Sequence, residues 1–480
     1  MRIDNYIRGW RKPERGEYVQ CVSPHDAKEV CAAYPRSTAE DVRLAIAAAK
    51  EAFPAWKKLT APQRGAYLQR AAQILKEEAK TIGRDLTREE GKTLAEGIGE
   101  TLRAAAILEF FAGEGFQPAG EVIPSADRGT FLYTTRMPHG PVGLITPWNF
   151  PIAIPAWKMA PALIYGNTVV LKPAELTPVS VYHLVRALHE AGIPEGVVNC
   201  VFGSGSVLGA EMVGHPDVKA ISFTGSNSVG SRIREQCAAL GKPAQLELGG
   251  KNPLIVLEDA DLEQAVSLAI SGAFRSTGQK CTATSRVIVA EKVYDEFRER
   301  LLTETKRVRV GNPLDAATFM GPLASREQWE TVRRMIAAGK AEAALLTGGE
   351  VPEDEHLAGG YYIQPTIFEN VPREATIARE EIFGPVIALF KVKTFDEAVA
   401  LANDTTFGLS ASVCTRDLSL AHRFAEEIEV GMVHINSETA GAEPQAPFGG
   451  CKGSGTGLRE QGKTAIDFYT QVKTVYMTHS

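Results

Sequence analysis

The sequence predicts an α/β protein built around parallel sheets with helices on both faces. Between residues 141 and 250, short β-branched or aliphatic runs alternate with helical stretches such as 179–191, and a second alternation follows to about 431. Sheets of this kind bind nucleotides at the carboxyl ends of their strands. The five strands predicted in the first alternation are 142–146, 168–171, 197–201, 218–223 and 244–248.

Composition narrows the class of protein. The chain has 480 residues, of which 44% are hydrophobic and 23% charged, as expected for a soluble globular protein with sizeable cores. The net charge of −6 without a basic block argues against a nucleic-acid partner. No apolar run is long enough for a membrane span, and the first residues lack the pattern of a signal peptide. Seven scattered cysteines indicate free thiols in a reducing, cytoplasmic setting.

The elements outside the first alternation are predicted in chain order. Short strands occupy residues 1–36, and a helix with a capping box from Ser37 to Glu40 follows them. Apolar stripes at helical spacing predict further helices over 62–79 and 94–111. The run 130–136 has β propensity and is interpreted as an extended arm that serves assembly, or else as an ordinary internal strand. Later elements are strands near Leu254 and Val287, a helix over 293–308, a strand over 386–392, and a last strand within 464–476 that pairs with the arm.

Cys281 is the candidate nucleophile. It follows Gly278 and Lys280 on a polar loop or short turn, directly before a predicted strand. Lys280 and the arginines at 275 and 286 are expected to favour the thiolate, the form that attacks carbonyl carbon. The alternative is that Cys281 is one of seven half-buried thiols with no chemical role.

Two further residues are candidates for catalysis. Asn149 lies between two prolines just after the first strand of the alternation, where a stiff turn can aim an amide at an oxyanion. Glu247 is an acid at an otherwise apolar strand end, where an elevated pKa would suit a general base. The alternatives are a rigid surface turn for Asn149 and an ordinary ion pair for Glu247.

A cofactor site is predicted where strands end. The turn that contains Gly225 and Ser226 follows a strand and opens a helix, so its N–H groups can meet a pyrophosphate. It matches neither the Walker A pattern nor G-x-G-x-x-G, and a plain turn is the alternative. Lys172 and Glu175 follow the next strand, where an acid can accept from ribose hydroxyls; a surface ion pair is the alternative. The histidines form no metal-ligand pattern, so no metal is expected.

Seven motifs in this order resemble the aldehyde dehydrogenase superfamily, nearly from end to end. Glu247 and Cys281 are 281 − 247 = 34 residues apart, as the resemblance to the family's base and nucleophile requires. The motifs are Pro147-Trp-Asn-Phe-Pro151, Gly166-Asn-Thr-Val-Val-Leu-Lys172-Pro-Ala-Glu175, Phe223-Thr-Gly-Ser226, Leu246-Glu-Leu-Gly-Gly-Lys251, Gly278-Gln-Lys-Cys281, Glu380-Glu-Ile-Phe-Gly-Pro385 and Pro447-Phe-Gly-Gly450.

The resemblance implies a role for each matched residue. Cys281 would attack the aldehyde, Asn149 and the Cys281 N–H would hold the oxyanion, and Glu247 would activate the water that hydrolyses the thioester. The cofactor would be NAD, with NADP possible. The residues implied to bind it are Thr146, Pro147, Trp148, Lys172, Glu175, Phe223, Gly225, Ser226, Glu381 and Phe383. The residues expected to bind substrate are Phe150, Trp157 and Arg275.

The resemblance also implies three parts and a homo-oligomer, either a dimer or a tetramer. Residues 1–117 and 139–249 would form a Rossmann-type NAD(P)-binding domain, and residues 250–446 an α/β catalytic domain. Residues 118–138 and 447–480 would form a β-hairpin oligomerisation arm and the C-terminal tail.

The segment 274–286 looks like the branch of the family that oxidises acidic semialdehydes, above all α-ketoglutaric semialdehyde (2,5-dioxopentanoate). Arg275 is then expected to bind the far carboxylate of the substrate, or else to pair with a protein acid. Alternatives are succinic semialdehyde or a broad range of aldehydes. A CoA-acylating reaction is disfavoured by Glu247, and the candidate catalytic residues argue against an inactive binding protein on the same fold.

Overall fold

The structure is a computed structural model that describes residues 1–13 and 16–479. The α-helices are α1 (Ala39–Trp56), α2 (Ala61–Glu77), α3 (Ala79–Glu90), α4 (Leu94–Glu114), α5 (Ala153–Ile164), α6 (Pro178–Glu190), α7 (Ala210–Gly214), α8 (Asn227–Ala239), α9 (Leu262–Phe274), α10 (Glu291–Thr305), α11 (Arg326–Glu342), α12 (Thr376–Arg379), α13 (Phe395–Asn403), α14 (Leu418–Glu427) and α15 (Ala465–Tyr469).

Within the described residues, the strands belong to two seven-stranded sheets and three small ones. They are β1 (Asn5–Ile7), β2 (Trp10–Arg11), β3 (Tyr18–Val22), β4 (Val30–Pro35), β5 (Val122–Ile123), β6 (Thr130–Pro138), β7 (Pro141–Ile145), β8 (Thr168–Lys172), β9 (Val198–Cys200), β10 (Ala220–Thr224), β11 (Ala244–Glu247), β12 (Asn252–Val256), β13 (Thr284–Ala290), β14 (Ala344–Thr347), β15 (Thr366–Glu369), β16 (Val386–Val392), β17 (Phe407–Gly408), β18 (Ser410–Cys414), β19 (Met432–Ile435), β20 (Cys451–Lys452) and β21 (Thr470–Thr478).

The first large sheet has the order β11-β10-β7-β8-β9-β1-β2 and is parallel from β11 to β9. All five strands predicted in the first alternation are present. Val169 and Val170 lie in separate buried clusters, so both faces of the sheet are covered by helices, as the run of apolar residues requires. Ile145 is in register with Lys172 and with Phe223, and the strand ends of β7, β8 and β10 therefore meet at one edge.

The N-terminal helices differ from the prediction in two details. The capping box begins at Thr38, whose N–H donates to Asp41 over 2.8 Å, and not at Ser37. Ser37 instead exchanges hydrogen bonds with the side chain of Asn5, which leaves the next hydroxyl residue to start the helix. The sequence prediction also missed α3, which lies between the two helices that were expected and ends at a left-handed Gly91.

The second large sheet has the order β14-β15-β16-β13-β12-β18-β19. Its inner strands are parallel, and the predicted strands near Leu254, near Val287 and over 386–392 are all part of it. The chain passes from the first sheet to the second through residues 248–251, which join β11 to β12. Residues at the end of β11 and at the start of β13 are thereby brought to the boundary between the two sheets.

The arm is a three-stranded sheet of β5, β6 and β21. The predicted pairing between the C-terminal tail and the arm is confirmed, with Thr470 opposite Pro138 and Thr478 opposite Thr130. The last strand begins later than expected, because the short helix α15 occupies the first part of the predicted range. The division of the chain into three parts at the bounds given above stays a prediction.

No helix within residues 1–13 and 16–479 combines the length and the apolar character needed to cross a bilayer.

Candidate active site

The loop before Cys281 has an unusual backbone. Ser276 and Thr277 have φ values of 53° and 56°, and Gly278 follows at 70°, so three residues in a row are left-handed. A non-glycine residue in that region carries strain unless its surroundings fix it. Here the Thr277 hydroxyl donates to the carbonyl of Gly321 over 3.0 Å. A Cβ on Gly278 would lie 2.2 Å from the Gly384 carbonyl oxygen, so only glycine fits.

Cys281 itself is half-buried in the turn between this loop and β13, as predicted. The amide of Asn252 donates to the Cys281 carbonyl over 2.8 Å and thereby fixes the backbone that carries the thiol. Burial raises the pKa of the Cys281 thiol to about 12, and the acids Glu381 and Glu247 add to the effect. The expectation that neighbouring cations favour the thiolate is therefore wrong for the protein without cofactor.

The three cations near Cys281 in sequence bind elsewhere. The Lys280 ammonium lies 3.4 Å from the Ser271 carbonyl and 3.8 Å from Glu438. Arg286 is buried and donates its guanidinium N–H groups to three main-chain carbonyls. Arg275 stacks over the ring of Phe319 at 4.9 Å. Proximity in sequence does not bring these charges to the thiol, because consecutive side chains of a loop leave it in different directions.

Glu247 lies at the end of β11 and is 2% exposed. Among the described residues, no side chain forms a hydrogen bond with its carboxylate. The Gly450 N–H faces the carboxylate and opposes the rise of its pKa that burial causes, and a Cβ on Gly449 would come within 2.6 Å of one oxygen. Burial raises the pKa of Glu247 well above its usual value; Glu460 raises it further, whereas Lys158 and Arg459 oppose the shift. The alternative of an ordinary ion pair is not found, and the carboxyl group is left available for proton transfer.

A buried ion pair behind Glu247 was not predicted. Lys158 of α5 pairs with Glu460 and also donates to the Ser222 hydroxyl over 2.7 Å. Lys158 and Glu460 are 302 positions apart in the chain, so no local pattern marks them as partners. Their contact with Glu247 is electrostatic: the acid of the pair disfavours a second negative charge nearby.

Asn149 follows β7 on the stiff turn that was predicted. Its side-chain amide donates to the Gln279 carbonyl over 3.0 Å, and Gln279 precedes Cys281 by two residues. The amide therefore faces the loop that carries the thiol. This position fits a donor to an oxyanion formed at Cys281, and the alternative of a rigid surface turn is wrong because Asn149 is buried.

Three charged residues around the start of α4 bind the turn that carries Asn149 and the loop that precedes Cys281. The Lys92 ammonium donates over 2.7 Å both to Glu100 and to the carbonyl of Asn149. The other oxygen of Glu100 accepts from the Ile152 N–H over 3.0 Å. Glu96 accepts from the Ser276 N–H over 2.7 Å. The sequence analysis predicted none of the three. Lys92 lies before α4 and its partner Glu100 lies eight residues later within it, and no local sequence pattern marks such a pair.

The residues expected to bind substrate are not all brought together. Phe150 is partly buried against the same core cluster as Cys281 and lies under the Lys92 ammonium at 4.2 Å. Trp157 is buried on α5 with its ring 5.2 Å from that of Phe448. Arg275 is exposed and lines a cleft of about 880 Å³ between α9 and α10, which none of the other site residues lines. The structure thus separates Arg275 from the aromatic residues of the expected channel.

The residues expected around the nicotinamide approach one another. Thr146 directly follows β7 and has a buried hydroxyl without a hydrogen-bond partner among the described residues. Pro147 and Trp148 follow it, and the Trp148 ring meets the Phe383 ring edge-on at 5.5 Å. Phe383 has a φ of 56°, in the left-handed region that non-glycine residues rarely adopt. An unsatisfied hydroxyl near two partly buried aromatic rings fits a ligand that has both oxygen atoms and a flat ring.

Lys172 and Glu175 differ in exposure. Lys172 is 6% exposed at the end of β8, and burial lowers its pKa although Glu175 partly offsets the shift. Glu175 is exposed beyond the strand, and the two groups form no ion pair within 4.0 Å. The alternative of a surface ion pair is therefore not observed, and both side chains remain available to a ligand at the edge of the sheet.

The predicted phosphate-binding turn is present. Phe223 lies in β10, Gly225 follows the strand and donates its N–H to the Glu247 carbonyl over 3.1 Å, and Ser226 caps α8. The side chain of Ser226 makes no capping hydrogen bond, so the first N–H groups of α8 are free to bind an anion.

Glu381 lies near the start of α8, because Asn227 of that helix accepts from the Gly249 N–H over 3.0 Å and Glu381 binds the next residue. It accepts from the Gly250 N–H over 3.0 Å, and a Cβ on Gly249 would come within 2.3 Å of its carboxylate. Burial raises the pKa of Glu381 to about 7, with Gly250 and Lys251 opposing the shift. A carboxylate in this position fits a hydrogen bond from a ribose hydroxyl. The donors and acceptors at Lys172, at the start of α8 and at Glu381 thus suit a dinucleotide. Within the described ranges, no group of three or more His, Cys, Asp or Glu residues is arranged to hold a metal ion.

Comparison with known proteins identifies the class. The model of the aldehyde dehydrogenase family matches residues 10–475, and the chain belongs to this family. It is an NAD(P)-dependent oxidoreductase that acts on aldehydes, as the motifs predicted. The chain is 52% identical over 475 residues to the α-ketoglutaric semialdehyde dehydrogenase of Bacillus subtilis (strain 168), with 98% of this chain and 97% of the relative covered.

Two other proteins extend the comparison. The α-ketoglutarate semialdehyde dehydrogenase of Haloferax volcanii is 44% identical over 475 residues, covering 98% of each chain. The betaine aldehyde dehydrogenase of Staphylococcus aureus, solved in complex with NAD⁺, superposes with a TM-score of 0.96 at 36% identity, covering 99% of this chain and 95% of the other. The predicted fold is confirmed by this agreement.

Proposed function

We propose that the protein oxidises an acidic semialdehyde, α-ketoglutaric semialdehyde, to the dicarboxylic acid with NAD, using Cys281, Asn149 and Glu247. One observation carries the assignment of residues. The amide of Asn149 and the loop of Cys281 are in direct contact, and an unpaired, buried Glu247 acts electrostatically on the thiol. This combination supplies a nucleophile, an oxyanion donor and a base in one place.

Cys281 attacks the aldehyde carbon and forms a C–S bond, while the thiol proton leaves to solvent or to a neighbouring base. The resulting thiohemiacetal carries an oxyanion that accepts from the Asn149 amide and from the Cys281 N–H. Donors placed in advance are effective here because Asn149 and Glu247 are buried. The carbonyl of Cys281, bound by Asn252, keeps the backbone N–H in a fixed direction.

Residues at the carboxyl ends of β8 and β10, together with Glu381, would hold the dinucleotide. The N-terminus of α8 with Gly225 and Ser226 suits the pyrophosphate, Lys172 and Glu175 suit the adenosine ribose, and Glu381 suits the second ribose. When bound, the nicotinamide supplies the acceptor for the hydride of the thiohemiacetal, which leaves a thioester on Cys281. Phe383 and Trp148 limit the positions that a flat ring can take.

Glu247 completes the cycle. Its carboxylate takes a proton from water, the hydroxide oxygen attacks the thioester carbon, and the C–S bond breaks to release the carboxylic acid and restore Cys281. A raised pKa makes Glu247 a stronger base than a solvated glutamate, which favours this step.

The substrate class is supported by the names of the relatives, which refer to α-ketoglutaric semialdehyde. The alternatives are succinic semialdehyde and a broad range of aldehydes. The deciding experiment is kcat/KM for 2,5-dioxopentanoate, succinic semialdehyde and pentanal, each with NAD and with NADP. A preference for 2,5-dioxopentanoate is expected, and a preference for pentanal would discard the acidic-substrate proposal.

We also infer a homo-oligomer, a tetramer or a dimer, in a reducing compartment such as the cytoplasm. Strands β19 and β21 are edges of their sheets and expose apolar side chains, among them Ile435 at 42% and Tyr476 at 70%. Such edges favour pairing with another chain. All seven cysteines are free. Light scattering after size exclusion measures the oligomer, and a monomer at micromolar concentration contradicts this inference.

A further inference from the structure

Arg103 lies on α4 near the site and lacks the partner that a partly buried guanidinium requires. Its Nε atom is shielded from solvent and has no hydrogen-bond acceptor. Among the residues the structure describes, no carboxylate lies within 4.0 Å of its guanidinium. Glu100, one helical turn away, is fully engaged by Lys92 and by the N–H groups of residues 152 and 153. The guanidinium therefore remains unneutralised.

Trp157 presents a second unsatisfied donor in the same place. Its indole Nε1 is buried and has no hydrogen-bond acceptor in the part of the chain that the structure describes. The Arg103 guanidinium carbon lies over the Trp157 ring, 5.9 Å from its centre, so the cation and the indole that carries the unsatisfied N–H are in contact range. Buried indole N–H groups are almost always hydrogen-bonded. Two orphaned donors side by side, one of them cationic, indicate a ligand that is anionic and rich in oxygen.

This pair of donors lies within electrostatic reach of the nucleophile. Burial lowers the pKa of Arg103, whereas Glu100 and Cys281 act in the opposite direction, so the charges of Arg103 and Cys281 interact. Desolvating a guanidinium costs free energy unless an anion occupies the site. A small anion bound there would lie within electrostatic range of Cys281.

We propose that Arg103, together with the Trp157 N–H, binds the far carboxylate of the acidic semialdehyde while Cys281 attacks its aldehyde carbon. This inference rests on the proposed function and names the residue that determines its substrate class. A planar guanidinium suits a carboxylate because it offers parallel N–H groups. Arg275, the residue first expected in this role, stacks over Phe319 in a separate cleft.

The test compares Arg103→Met with Arg275→Met as a matched variant. Hydrogen bonds to charged groups have energies that correspond to about 10- to 150-fold in kcat/KM. Arg103→Met is expected to lose this factor for 2,5-dioxopentanoate relative to pentanal, whereas Arg275→Met keeps the wild-type ratio of the two substrates. Arg103→Lys is expected to retain part of the preference for 2,5-dioxopentanoate over pentanal, because lysine has the positive charge but not the two parallel N–H groups of a guanidinium.

A binding measurement separates substrate recognition from folding. Glutarate, a dicarboxylate without a reactive carbonyl, is expected to raise the Tm of the wild type and of Arg275→Met but not of Arg103→Met. The role of Arg103 would be overturned if Arg103→Met lost kcat/KM equally for acidic and neutral aldehydes. It would also be overturned if glutarate raised the Tm of Arg103→Met as much as that of the wild type. A wild type that prefers pentanal would instead overturn the acidic-substrate proposal itself, so the two failures are distinguishable.

Discussion

The Lys92 ammonium donates a hydrogen bond to the main-chain carbonyl of Asn149 over 2.7 Å, and both residues are buried. Four residues later Glu96 accepts from the Ser276 N–H in the loop of the nucleophile. The start of α4 therefore holds the oxyanion donor on one side and the nucleophile loop on the other. Their relative position depends on one short stretch of chain that contacts neither reacting atom.

Lys92→Met is expected to lower kcat by about 10- to 100-fold, because small displacements of positioned groups are costly to catalysis. It also leaves Glu100 buried without its cation, which destabilises the fold by about 3–5 kcal/mol. Steady-state kinetics and urea unfolding measure the two effects in the same protein.

The control for this prediction is the double variant Lys92→Met/Glu100→Gln. It removes the unpaired charge at position 100, leaves Glu90 as in the single variant, and keeps an oxygen that can accept from the Ile152 N–H. Stability is expected to recover in part, while kcat stays low and KM changes less than kcat. Recovery of kcat in step with stability would mean that Lys92 serves only the fold.

Cys281→Ser is expected to bind NAD but to lose nearly all oxidation, since a neutral hydroxyl attacks far more slowly than a thiolate. NADH absorbance follows the reaction, and peptide mass analysis of trapped acyl-enzyme in the wild type locates the adduct. An acyl adduct on any of the other six cysteines contradicts the assignment of the nucleophile.

Glu247→Gln is expected to form the thioester normally and to hydrolyse it about 10²- to 10⁴-fold more slowly. A rapid first turnover of NADH would then precede a slow steady state. In the wild type, the hydrolysis rate should rise with pH through the raised pKa of Glu247, because only the ionised form accepts a proton. The variant should lack this rise. A steady state equal to the wild type would move water activation to Glu381.

Much of the fold could be predicted because local patterns encode it. The strands around the cofactor site are continuous apolar runs buried on both faces, and their turns carry glycine at fixed places. The capping box was misplaced by one residue because Ser37 has a distant partner in Asn5. The helix α3 was missed because its apolar residues are few and its buried face includes Glu89 and Glu90.

The electrostatics of the site could not be predicted in the same way. Lys280 precedes Cys281 directly, yet its ammonium lies near Glu438. The pKa of the Cys281 thiol is instead raised by the charge of Glu381, which is 100 positions away in the chain. Arg103 has no motif around it, and only its lack of a partner in the folded chain marks it. Contacts of this kind depend on side-chain direction in three dimensions, and one sequence carries no local signal of it.

Glu175→Gln is expected to lower the preference for NAD over NADP. The carboxylate would accept from the ribose 2′-hydroxyl and repel a 2′-phosphate, and Lys172 beside it would pair with that phosphate. The ratio of kcat/KM values should fall about tenfold for each 1.4 kcal/mol of repulsion relieved. Glu195→Gln is the matched control, because Glu195 is exposed before β9, at the amino ends of the strands. An unaltered ratio of kcat/KM with NAD to kcat/KM with NADP in Glu175→Gln would show that this acid does not contact the ribose.

The reactivity of Cys281 toward iodoacetamide should depend steeply on pH in the cofactor-free protein. Only the thiolate is alkylated, and a pKa of about 12 leaves little thiolate at neutral pH, so the rate should rise about tenfold per pH unit through the range from 8 to 10. Glu381 and Glu247 raise this pKa through their negative charge. Their replacement by glutamine should therefore lower the thiol pKa and speed alkylation at fixed pH, with Cys281→Ser as the blank for the other thiols. Slower alkylation in Glu247→Gln would instead mean that Glu247 accepts the thiol proton and activates the nucleophile.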